Sequence, residues 1–182
     1  MKTSNTVTGL FFSALFAMIA TSGCGLSIEA EIPEVEVTQK GISFEGVPMA
    51  GTLGEVSMTR SFSQQHKALE LPAGLDPQVH AIDVTVKATK GIKDFKFLTF
   101  LRLAMSDDKN PGKSAELINY QQNPADPASA TLTMVSANPV NTLDHWKSDA
   151  AIFTMDVAGT LPEVDWSIDI TVRFAGSIKY KY

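Results

Sequence analysis

The chain carries one thiol, three imidazoles and a scatter of carboxylates, and what these groups can do depends on their neighbours. Cys24 is the sole cysteine among 182 residues. A lone cysteine can serve as a nucleophile, a metal ligand, half of an intermolecular disulfide or a site of acylation. His66, His80 and His145 are far apart, and none has the close spacing of a zinc motif, so they form a metal site only if the fold gathers them. His80 shares the even phase of Ile82 and Val84, which suits a sheltered histidine at the start of a strand. Asp107-Asp108-Lys109-Asn110 offers oxygen ligands, but it lacks the spacing of a calcium loop and sets Lys109 in the middle, so a solvated loop is expected. Gly112-Lys113-Ser114 ends like a phosphate loop, yet Asp107 stands where that loop needs its first glycine. No G-x-S-x-G or H-E-x-x-H occurs. These residues give no catalytic centre, no metal site and no cofactor.

Cys24 is set apart by what precedes it. Lys2 is followed by an uncharged run over residues 9–20, which is about a dozen residues and has no acidic neighbour. A membrane-spanning helix needs roughly 20 apolar residues, whereas a secretory signal has a charged start, an apolar centre of about 7 to 15 residues and a small-residue cleavage site. The run fits the second description. Thr21-Ser22-Gly23-Cys24 resembles the lipobox of bacterial lipoproteins, although Thr21 stands where leucine is commonest. The resemblance covers only the first 25 or so residues. It implies cleavage between Gly23 and Cys24, a diacylglyceryl group on the sulfur and a further acyl chain, such as palmitate, on the new amino terminus. Gly25, where an aspartate would imply retention in the inner membrane, implies the outer membrane, at its periplasmic face or on the cell surface. Two alternatives share the segment: ordinary signal cleavage after Ser22, leaving a free thiol, and an uncleaved short anchor.

The expected organisation is therefore a signal peptide at 1–23, a lipidated cysteine and short tether at 24–27, and one domain at 28–182. The net charge is −5, and the loss of Lys2 makes the mature chain slightly more acidic. With no Lys/Arg cluster, nucleic acid and anionic lipid are poor partners. The expected partners are the membrane, through the acylated cysteine, and another envelope protein, with the domain itself monomeric.

The elements that would position any site read as strands. Residues 164–174 alternate strictly, with Val164, Trp166, Ile168, Ile170, Val172 and Phe174 on one face and polar residues on the other. The phase resumes at Ile178, Tyr180 and Tyr182, so Gly176 is expected to bend or bulge a long terminal strand. Further strands are expected over 79–89 and 151–157, with weaker ones over 27–38, 55–63, 101–105, 115–120 and 131–136. Across Pro33 the apolar phase changes, which reads as an edge strand with a bulge. Asp94 is a candidate cap for one turn, Asn141 or Thr142 for another, and residues 66–71 suggest a third. About eight short strands, separated by turn residues and without βα alternation, predict an all-β antiparallel sandwich, immunoglobulin-like or jelly-roll-like, with one or two short helical turns.

Phe95, Phe97, Leu98, Phe100 and Leu101 are too many apolar residues for one face of a sheet. They either plug one end of the sandwich, which is the favoured expectation, or line a pocket for an apolar ligand. The leading function is accordingly a lipid-anchored, non-catalytic structural or protein-binding domain. A periplasmic carrier of an apolar ligand is the runner-up, and a hydrolase or metal-binding protein the third.

Overall fold

The computed structural model describes residues 27–48, 50–70, 75–136 and 139–181. Their order is β1 (Ser27–Phe44), α1 (Ala50–Leu53), β2 (Val56–Gln65), β3 (Leu75–Lys90), β4 (Leu98–Asp107), β5 (Ala115–Gln121), β6 (Thr131–Val135), a 3-10 helix (Leu143–Lys147), β7 (Ala150–Gly159) and β8 (Trp166–Lys181). Every strand pairing is antiparallel. β4 and β5 form a hairpin, β3 pairs with β6, β2 with β7 and β1 with β8, as in one long two-stranded ribbon. Rolled up so that β8 also meets β3 and β7 also meets β4, the ribbon becomes two sheets, β1-β8-β3-β6 and β2-β7-β4-β5. This is a jelly-roll sandwich.

Period-two alternation puts apolar side chains between the sheets. From β8 come Trp166, Ile168, Ile170, Val172 and Phe174, and from the facing sheet Leu101, Leu103, Met105, Phe153, Met155 and Val157, all buried. Aromatic contacts run through the layer. Phe44 stacks on Trp166 at 4.0 Å, and Trp146 meets Phe174 edge-on at 5.1 Å. On the outer faces, threonines pair across strands: Thr38 with Thr171 at 3.0 Å and Thr85 with Thr133 at 3.2 Å.

The edge strand with a bulge at Pro33 is present: β1 lies at a sheet edge, and its register shifts between Ile32 and Val35. Gly176 behaves differently from expectation. β8 runs through it unbroken, and the irregularities fall in the strands on either side. β1 carries extra residues at Ile32/Val35 and Gln39/Ile42, and β3 at Ala81/Asp83 and Ala88/Lys90, at matching levels of β8. Bulges bend and twist the flanking strands while the central strand stays regular. Val164, assigned to the buried face, is 58% exposed because the strand starts only at Trp166.

Antiparallel order gives the sandwich two distinct ends. One bears Ser27, Lys181 and the β2–β3, β4–β5 and β6–β7 connections. The distal end bears the β1–β2, β3–β4, β5–β6 and β7–β8 connections. Backbones pass closely at the distal end. Gly91, at φ 78°, leaves no room for a Cβ against the carbonyl of Asp165, and Gly159, at φ 152°, leaves none against the carbonyl of Phe97. Both positions need glycine for space and for backbone conformation.

Candidate functional site

Cys24 and Gly23 lie outside the described residues, as do residues 71–74 and Tyr182. The chain enters the described fold at Ser27, which pairs with Lys181 at the non-distal end. Among the described residues, no helix is long and apolar enough to cross a membrane.

The five crowded apolar residues divide between layers. Asp94 fixes a turn by accepting the Lys96 N–H at 3.0 Å, and the Leu98 N–H returns to the Phe95 carbonyl at 3.0 Å. Phe95, Leu98 and Leu101 are thereby driven into the core. Phe97, half-buried, packs edge-on against Trp166 at 5.2 Å. Phe100, also half-buried, alternates with Leu101 and so lies on the opposite face of β4, between Gln121 and Ala158. This segment closes the distal end of the sandwich.

The histidines are dispersed, and the described residues hold no group of three or more His, Cys, Asp and Glu side chains able to bind a metal ion. His80 is half-buried on β3 opposite Ala175. His66 tilts against Trp146 at 5.0 Å. His145 is buried on the 3-10 helix, and its Nδ1 lies 2.9 Å from Asp107 Oδ2. Asp107 is therefore no solvated loop residue: it is 2% exposed. Its Oδ1 accepts the N–H groups of Lys109 at 3.0 Å and Asn110 at 2.7 Å. Burial works to raise the Asp107 carboxyl, but hydrogen bonds from His145 and Asn110 outweigh it and hold the group below the usual carboxylate range. The pair ties the β4–β5 turn to the 3-10 helix. Thr142 and Asn141 set that helix in place: Asn141 Oδ1 accepts from the N–H groups of Leu143 and Val79, and Thr142 Oγ1 donates to the Val79 carbonyl.

Among the described residues, a cleft opens at each end of the sandwich. The first, of about 490 Å³, lies beside the start of β3 and is lined by Leu69, Leu75, Asp76, Pro77, Asn141, Leu143 and Lys147. The second, of about 250 Å³, lies at the distal end between the β3–β4 turn, the end of β5 and the chain leading into β6. Of Phe95, Phe97, Leu98 and Phe100, only Phe95 borders it; around Phe95 and Met134 the wall includes Lys96, Tyr120, Gln122 and Asp126. Burial, with a smaller contribution from the Asp126 carboxylate, raises the Tyr120 phenol above its ordinary value. Nothing in the local pattern of residues 120–126 announced this grouping, because β5, the β3–β4 turn and the β5–β6 loop meet only in the rolled fold.

No family model matches the chain, and no curated protein matches it. Among solved structures, it resembles the infectious bursal disease virus Gx strain structure at 13% identity and a TM-score of 0.33, over 96% of this chain and 42% of that one. It resembles the decameric BFDV capsid protein at 8% identity and a TM-score of 0.31, over 87% of this chain and 99% of that one. The chain thus spans about two fifths of the first of these structures.

Proposed function

We propose that this is a lipid-anchored protein of the bacterial cell envelope, in which one jelly-roll domain acts as a non-catalytic structural or protein-binding module. The observation that carries the reading is the distance from Cys24 to the fold: β1 begins at Ser27, three residues after the lipobox-like Thr21-Ser22-Gly23-Cys24. Three residues reach at most about 10 Å, so an acylated Cys24 holds the Ser27 end of the sandwich against the lipid and turns the distal end outward. One fourteen-carbon chain binds a membrane only marginally, but each buried methylene adds about 0.8 kcal/mol, so two or three chains on one residue hold it essentially permanently. Confinement to a surface raises the effective concentration for a weak protein partner. Cleavage falls between Gly23 and Cys24, and Gly25 favours sorting to the outer membrane.

The test is metabolic labelling with a fatty acid, comparing the wild-type chain with Cys24→Ser, followed by membrane fractionation. Wild type should take up label and sediment with the outer membrane, and the variant should do neither. Equal labelling of the two would refute the anchor.

A further inference from the structure

We propose that the distal cleft is a binding site for one neutral sugar ring. Its walls combine an apolar floor with polar groups that the protein leaves without partners. Phe95 and Met134, both buried, close off its base, and the accessible apolar surface comes from the half-buried Tyr120 ring and Leu132 and from the exposed Pro127. The Tyr120 hydroxyl, the Lys96 ammonium and the Asp126 carboxylate make no hydrogen bond or ion pair with any described residue. Gln122 is oriented by its surroundings: its NH₂ faces the carbonyls of Phe95, at 3.1 Å, and Leu98, which leaves its side-chain oxygen as an acceptor. The cleft thus offers a donor in Lys96, acceptors in Asp126 and Gln122, and in Tyr120 a group that does both.

A few convergent polar groups over an apolar base are what fix a small molecule in orientation. Three features narrow the ligand to a sugar. Lys96 and Asp126 cancel in charge, so neither a free anion nor a free cation is favoured. A sugar hydroxyl donates and accepts at once, as this mixed lining requires, while the C–H face of the ring has the half-buried Tyr120 ring and Leu132 and the exposed Pro127 to cover. About 250 Å³ falls just under the roughly 300 Å³ at which ordinary ligand pockets begin, which suits one ring and not a lipid chain. A phenol is protonated at neutral pH in any case, and burial and Asp126 act in the same direction, so the hydroxyl stays able to donate. None of this rests on the lipid anchor, which only determines that the cleft faces away from the membrane.

The experiment is saturation-transfer NMR on the full chain in detergent, with the methyl glycosides of glucose, galactose, mannose and N-acetylglucosamine and with glycine as a zwitterionic control. At least one glycoside should receive saturation, with a dissociation constant in the millimolar range. Asp126→Asn should weaken it about tenfold, the loss of one charge-assisted hydrogen bond, and Tyr120→Phe at least threefold. Both substitutions leave the core intact, so melting temperatures should not move. Saturation of none of the four glycosides, binding of glycine in their place, or unaltered affinity in both variants would overturn the proposal. Failure here with intact labelling at Cys24 would leave the anchor standing, and the reverse result would leave the sugar site standing.

Discussion

The carboxylate of Asp107 gathers donors from two connections, so its removal would strand the N–H groups of Lys109 and Asn110 and the buried His145 together. Asp107→Ala should cost about 2 to 3 kcal/mol, in the range for leaving buried donors unsatisfied, as read from urea midpoints. Asp107→Asn, which keeps one acceptor oxygen, should cost less. The pH dependence follows from the direction of the shift. The folded carboxyl lies below its unfolded value, so its stabilisation is fully present above the unfolded pKa of about 3.9 and is lost as pH falls through the folded value. Between about pH 5 and 2 the wild type should therefore lose more stability than Asp107→Asn; parallel curves would refute the role. This residue was misread in the sequence because Asp-Asp-Lys-Asn is turn chemistry in either case, and the partner that buries it lies 38 positions away. The proposed role of Cys24 rests, by contrast, on adjacent residues alone.

At the scale of the element, alternation was the dependable signal. Five successive even positions of β8 are each 1% exposed while Ser167 between them is half-exposed, so adjacent substitutions should differ sharply. Trp166→Ala should cost roughly 3 to 5 kcal/mol as a large-to-small core change, and Ser167→Ala, which loses a hydroxyl contact to Thr89, about 0.5 kcal/mol. Equal denaturant shifts would mean the face has been misassigned. Gly159→Ala should be more damaging than its size suggests, by at least about 1 kcal/mol in the same melts, since it combines an unfavourable φ with a collision on Phe97. Pro33 signalled the β1 bulge because it broke the phase of its own strand. The bulges of β3 carried no such mark, since a register shift belongs to a pair and only one member of that pair is written in any local stretch.

For the whole molecule, alternation says which face of a strand is buried but not which strand lies beside it. Sandwich class was therefore legible, while the choice between an immunoglobulin-like and a jelly-roll strand order is open in the sequence and is made only by the strand pairings. The same blindness hid the distal cleft, whose walls come from β5, the turn at 94–97 and the β5–β6 loop. The topology has a kinetic consequence. β8 sits between β1 and β3, so the last strand must arrive before the first can find its edge, and such non-local pairing carries a large loop-closure cost. The chain from Leu26 to Tyr182 should refold in milliseconds to seconds or slower, and as one unit, because both sheets share a single core. Two tryptophans make this testable. Trp146 packs on Phe174 near the Ser27 end and Trp166 on Phe44 near the distal end. Urea transitions followed by fluorescence in Trp146→Phe and in Trp166→Phe should each coincide with the loss of β-sheet circular dichroism in the same variant, and a chelator should leave the wild-type midpoint unchanged. Separate transitions at the two ends would show that the ribbon's ends fold independently, and a midpoint lowered by the chelator would show that the core needs a metal that its own side chains do not replace.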